Sequence, residues 1–145
     1  MLTIVKQTDI LKHWDKIEKC IEFFAKTSLK KYSDKDKLRD SIRDNLLSDF
    51  YKLWILTGEE EKIKAIVITS FGKVSLIMKS LHISALMGFE PLVDEEYISS
   101  FKVLTAFAKE NACELITGES SNDYLVSKFK KLGGTGYSLN LYWEV

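Results

Sequence analysis

Few side chains in this sequence are equipped for chemistry, and they are scattered along it. His82, within Ser80-Leu81-His82-Ile83-Ser84, is the best-placed titratable group. A histidine in a β-prone run, with Ser84 two residues on and so on the same face, can line a cleft and exchange a proton near neutral pH. Its plain alternative is a histidine satisfied in the sheet. Glu90 is the second candidate proton acceptor, with a solvated loop carboxylate as the alternative. Tyr124 carries a phenolic hydroxyl, and a half-exposed helix tyrosine is its simpler reading. Gly118-Glu119-Ser120-Ser121 offers amides to an anion or is a plain Gly-Ser turn. Ser120 has no identifiable His or Asp partner, so nucleophilic catalysis is unsupported there.

Metal chemistry is disfavoured, because His13 and His82 are the only histidines and no cluster has the spacing of a zinc or iron site. Cys20 and Cys113 are far apart and set among apolar residues, which reads as two reduced core thiols. Lys plus Arg and Asp plus Glu both number 21, so no global field draws the chain to nucleic acid or an anionic membrane. The densest basic run, Lys30 to Arg39, is interleaved with Asp34 and Asp36. No apolar run reaches the roughly 18 residues of a membrane span, and the N-terminus turns polar too soon for a signal peptide. The expectation is a cytoplasmic protein with one domain over residues 1–145.

The candidates need a scaffold to hold them. Leu2 to Lys6 is β-prone, and Thr8 or Asp9 can cap a helix whose Ile10, Leu11, Trp14, Ile17, Ile21 and Phe24 form one apolar stripe. Ser33 or Asp34 caps a second helix with Leu38, Ile42, Leu46, Leu47 and Phe50. Tyr51 to Thr57 and Ile63 to Phe71 read as a hairpin, and Val74 to Met87 as a long third strand bent near Lys79-Ser80. Pro91 precedes a helix from Asp94 to about Asn111, faced by Ile98, Phe101, Leu104, Phe107 and Ala108. The strand Cys113 to Thr117 then implies a right-handed crossover with parallel pairing. Ser121 or Asn122 caps a helix bearing Leu125, Phe129 and Leu132 that stops at Gly133-Gly134. Tyr137 to Val145 alternates as a terminal strand. Trp54, Trp143, Tyr142 and Tyr137 suit core packing or a dimer face, and the terminal strand could pair with another chain, which makes a homodimer an expectation. The order is β-α-α-β-β-β-α-β-α-β, a single α/β domain with a mixed sheet.

That order, with the run from Asn122 through Tyr124 and Phe129 to Lys131-Leu132-Gly133, resembles the GCN5-related N-acetyltransferase (GNAT) superfamily. The likeness is strongest from Lys52 to Gly133. It implies a GNAT-like fold and acetyl transfer from acetyl-CoA to an amine or protein acceptor. It also implies that Asn122 meets the pantetheine arm and that the strand edge Leu86-Met87-Gly88 offers unpaired amides to the acyl group. The family's acidic tyrosine has its slot filled by Phe129, a ring with no proton to give, and Tyr124 lies on another side of the helix. The family's glycine-rich phosphate loop is replaced by Gly88-Phe89-Glu90-Pro91-Leu92-Val93-Asp94-Glu95-Glu96, whose acids repel a pyrophosphate unless they point away. With the helix end Ala108 to Cys113, this combination is similar to small GNAT-like proteins of bacteriophages. Two functions remain open: an acetyl-CoA-dependent N-acetyltransferase with an altered loop, using His82 as base, or a non-catalytic GNAT-fold binding or assembly module.

Overall fold

A computed structural model describes residues 1–27, 34–74, 76–119, 123–137 and 140–144, with side chains assigned in these ranges except at 24–27, 119, 123, 135–137 and 140–144. The strands are β1 (Leu2–Ile4), β2 (Tyr51–Thr57), β3 (Ile63–Lys73), β4 (Lys79–Gly88), β5 (Leu115–Glu119), β6 (Thr135–Tyr137) and β7 (Asn140–Glu144). The helices are α1 (Trp14–Thr27), α2 (Lys35–Leu47), α3 (Asp94–Glu110) and α4 (Asp123–Lys131). Among the described residues the strands form one sheet in the order β1-β2-β3-β4-β5-β7-β6. The meander β1 to β4 is antiparallel, and β4 pairs with β5 in parallel across the α3 crossover, as the expected mixed sheet requires.

Two apolar layers sandwich the sheet. On one face Ile10, Ile17, Cys20 and Ile21 of the first helical segment and Leu46 of α2 cover Leu53, Ile66 and Ile68. On the other, Leu104 and Ala108 of α3 cover Trp54, Val67, Leu81, Ile83 and Ile116. The two cysteines lie in opposite layers, both buried and both free thiols. Burial pushes the Cys20 thiol up to about 12, as expected of a desolvated group. Trp54 is core rather than interface, and its buried indole N–H donates to Thr69 Oγ1 at 2.9 Å.

Local chemistry sets several boundaries. Asp34 caps α2 by accepting from the amides of Asp36 and Lys37, both at 3.1 Å. After α4, Gly133 adopts φ 93°, and the amides of Gly133 and Gly134 reach back to the carbonyls of Lys130 and Phe129 at 3.1 and 3.0 Å, a Schellman closure. Among the described residues, no helix is long and apolar enough to cross a membrane.

Elsewhere the sequence reading needs correction. Gln7–His13 is a 3-10 segment with no side-chain cap, and Asp9 pairs with Lys12 at 2.8 Å instead of capping. Three residues per turn rotate Leu11 off the stripe, leaving it 59% exposed. Asp49, at φ 66°, turns the chain out of α2, so Phe50 leaves its stripe and is exposed. Ile98 is exposed at the solvent edge of α3. The expected strand from Val74 joined two things. β3 continues to Lys73, the Val74 amide bonds the Met78 carbonyl at 3.0 Å across a turn, and β4 starts only at Lys79. Leu76 and Ile77 in that turn are 96% and 88% exposed, so their hydrophobicity belongs to a surface turn and not to a strand. The terminal strand is two strands, with Thr135, Gly136 and Tyr137 paired to Tyr142, Leu141 and Asn140. Phe24's side chain, Ser33, Asn122 and the Ser120-Ser121 turn lie outside the described residues.

Candidate functional site

The sheet opens between β4 and β5. Their parallel pairing runs through Ser80↔Leu115, Leu81↔Ile116 and His82↔Thr117, and ends at Ile83↔Gly118. β4 nevertheless continues to Gly88, still paired on its other side with β3 through Ala85↔Ile68, Leu86↔Val67, Met87↔Ile66 and Gly88↔Ala65. From Ser84 onward, the edge of β4 turned away from β3 therefore has no strand partner among the described residues. A main-chain edge of this kind carries hydrogen-bond donors and acceptors that must find other company.

A bulge marks the point of divergence. Thr69 pairs with Ile83 and Ile68 with Ala85, so Ser84 is the extra residue of β4. The bulge exchanges faces: Leu81 and Ile83 before it and Leu86 after it meet the α3 layer, whereas Ala85 and Met87 meet the α1–α2 layer. In a regular strand Ile83 and Ala85 would share a face. Sequence alternation alone could not have revealed this switch.

His82 lies between Leu81 and Ile83 and so faces the α1–α2 side, half-buried, one rung before the opening. Its Nδ1 is 2.8 Å from Thr117 Oγ1 on β5. Ser70, opposite His82 on β3, places its Oγ 3.2 Å from Ser84 Oγ. His82 and Ser84 thus share a polar row, as their spacing suggested, although Ser70 and the bulge bring this about. Thr117 and Ser70 were missed as site residues. Each is a small polar residue beside apolar ones in its strand, and the register that sets them beside His82 depends on distant chain segments.

The far end of the gap differs. Gly88 is the one glycine there, and a Cβ added to it would lie 3.3 Å from the Glu90 carbonyl. Beyond it three acids each meet a lysine: Glu90 pairs with Lys62, Glu96 with Lys64 at 2.5 Å, and Asp94 with Lys128. These hydrogen-bonded ammonium groups hold all three carboxyls below their usual range, and Asp94 raises Lys128 in return. Glu96 also accepts the Val93 amide at 2.9 Å, capping the start of α3. The N-terminus of α3, where an anion would sit, thus already faces a carboxylate. Glu90 is consequently an ionised ion-pair partner outside the His82 row. No three His, Cys, Asp or Glu residues group as a metal site among the described residues.

On α4, Phe129 is half-buried and packs on the α3 core layer, which agrees with a ring that has no proton to exchange. Tyr124 is 57% exposed. The Lys128 ammonium lies 5.4 Å from the Tyr124 ring and 5.9 Å from that of Tyr97 on α3, whose hydroxyl burial raises. His82 and Tyr124 thus belong to different neighbourhoods, one against β5 and the other against α3.

No protein-family model matches the chain, and no curated protein sequence matches it. Solved structures do resemble its fold. A probable acetyltransferase aligns at TM-score 0.71 with 10% identity, over 94% of this chain and 91% of that one. A predicted acetyltransferase from Clostridium acetobutylicum, solved with acetyl-CoA, gives 0.69 and 16%, over 94% and 90%. Spermidine N-acetyltransferase from Vibrio cholerae, in complex with CoA and spermine, gives 0.68 and 9%, over 99% and 94%. The opened β4–β5 pair, the Ser84 bulge and the α3 crossover therefore belong to a mixed-sheet α/β domain with the fold of the GNAT acetyltransferases.

Proposed function

We propose that this protein is an N-acyltransferase that takes an acetyl group from acetyl-CoA and passes it to an amine. The observation that carries this reading is the early end of β4–β5 pairing at Ile83 and Gly118, with His82 one rung away. Acetyl-CoA supplies an acyl group activated as a thioester. The open edge of Ser84 to Gly88, including Leu86, Met87 and Gly88, presents main-chain groups to the acyl and pantetheine portion. Asn122 is assigned to the pantetheine arm from its sequence motif. His82 takes the proton that the attacking amine loses, a role worth about 10²- to 10⁴-fold in rate. The thiolate proton comes from solvent or from Tyr124, since Phe129 has none to give.

The acyl half of the donor suits these residues. The pyrophosphate half fits poorly, because Glu96 caps α3 where the family's glycine loop would receive phosphate. In this reading the lysines Lys62, Lys64 and Lys128 meet the donor's charge in place of a glycine loop.

Calorimetry with acetyl-CoA, followed by thiol release across a panel of small amines and peptides, tests the proposal. Micromolar binding, weakened by Asn122→Ala, with turnover lost in His82→Gln, is the expected result. Absence of binding by the wild type would sink it. The capped α3 and the half-buried Phe129 ring favour, as a second reading, a GNAT-fold module that binds another protein without chemistry. A stable protein complex together with no response to acetyl-CoA would establish that instead.

A further inference from the structure

We infer that Lys16 of α1 is an anion-binding residue that receives the donor's phosphates where the open edge of β4 ends. The identity of the ligand rests on the acetyl-CoA reading, whereas the charge chemistry of Lys16 can be measured without it.

The open edge runs from Ser84 to Gly88, about 13 Å at the ordinary rise of a strand. A donor whose thioester lies near His82 and whose arm follows that edge brings its phosphates to the residues just past Gly88. Phe89 is the first of them. Its amide donates to the Lys64 carbonyl at 2.8 Å, so β3 still holds the chain there, and its ring packs on the α1–α2 layer. The Lys16 ammonium stands over that ring, 5.0 Å from its centroid.

The place of Lys16 in α1 favours such a role. It lies beside Ile17 and one turn before Cys20, both buried, and is itself half-buried at the border of the apolar stripe. A stem laid along apolar surface with its charged head at the rim loses less freedom on binding than a fully solvated lysine. The Phe89 ring attracts the ammonium through its quadrupole and leaves N–H donors for an anion.

The lysines at the start of α3 are placed differently. Lys62, Lys64 and Lys128 each hold a carboxylate, so a phosphate competes for them with Glu90, Glu96 and Asp94. Among the described residues no carboxylate forms an ion pair with the Lys16 ammonium. Lys16 also comes from the helical layer opposite α3, whose first turn carries Asp94, Glu95 and Glu96. A half-buried ammonium without a carboxylate finds a strong partner in a phosphate oxygen.

Calorimetry at low salt with CoA, S-acetyl-pantetheine and inorganic pyrophosphate tests the inference. Lys16→Met should weaken binding of CoA and pyrophosphate about five- to twentyfold, the worth of a charge-assisted hydrogen bond at a half-exposed position. S-acetyl-pantetheine, which has no pyrophosphate, should bind the variant and the wild type equally. Lys16→Arg should keep most of the affinity, and Lys12→Met, which removes an exposed lysine of the preceding helical segment, should change nothing. Lys16→Gln replaces the methionine variant if that one does not fold. Equal CoA affinity in the wild type and the neutral variant would overturn the inference and spare the acyltransferase reading. A raised KM for a carboxylate-bearing amine with CoA affinity intact would overturn it too, since the anion would then belong to the acceptor. If the wild type binds neither CoA nor S-acetyl-pantetheine, yet binds pyrophosphate through Lys16, the acyltransferase reading alone falls; binding of none of the three overturns both.

Discussion

The two ends of the β4–β5 gap are built from different materials. At the near end the geometry is main chain: pairing that stops at Ile83↔Gly118, a bulge at Ser84, and a histidine held by one hydroxyl. At the far end it is side-chain charge: three lysine–carboxylate pairs around the start of α3. Backbone geometry is set by strand register and tolerates many side chains, whereas phosphate recognition at a helix N-terminus depends on residues small enough to let an anion approach. The near end has the form of the GNAT fold, and the far end carries a single glycine, Gly88, among its ion pairs.

The comparison can be broken from its near end first. His82→Gln should reduce acetyl transfer by about 10²- to 10⁴-fold while leaving acetyl-CoA binding intact, measured by thiol release and calorimetry on the same samples. Loss of binding as well would make His82 structural. Leu81→Ala removes a fully buried side chain from the rung beside His82 and should cost about 2–5 kcal/mol in denaturant unfolding. A smaller loss would mean that the α3 layer collapses to fill the space.

The far end is sharpened by Glu96→Gln. Removing this carboxylate frees Lys64 and relieves the α3 N-terminus of negative charge, so acetyl-CoA should bind more tightly, about three- to tenfold at low salt. Unchanged affinity would show that phosphate does not reach α3. The same variant tests pH linkage. Glu96 is depressed below its ordinary 4.5, so the unfolded chain binds its proton first, and the stabilisation from the pair is present above that value and lost as pH falls through the folded one. Melting temperature in the acid range should fall less steeply in Glu96→Gln than in the wild type. The smallest effect expected is that of Leu76→Ser in the β3–β4 turn, within about 0.5 kcal/mol by thermal unfolding, because the native side chain is 96% exposed.

Legibility followed the range of the interactions. β2 was readable residue for residue as Tyr51–Thr57, and a cap at Ser33 or Asp34, of which Asp34 is the one observed, and the Gly133 stop were readable because each is satisfied by neighbours a few residues away. The Val74 to Met87 run misled because alternation and hydrophobicity report what a segment could bury, whereas Leu76 and Ile77 stand exposed in a turn. His82 could be picked out as the best-placed titratable group, while its partner could not. Thr117 reaches it only after a helix of 17 residues has carried the chain back to the sheet.

By itself, then, the sequence determined the element order through α4 and the absence of a phenol at position 129, since both are local properties of residue type and spacing. Only the tertiary structure decided where β4 and β5 part, which way Ser84 turns the strand, and that Glu90, Asp94 and Glu96 each meet a lysine. Those outcomes depend on register and on contacts between residues tens of positions apart, where one residue of slip would exchange every face.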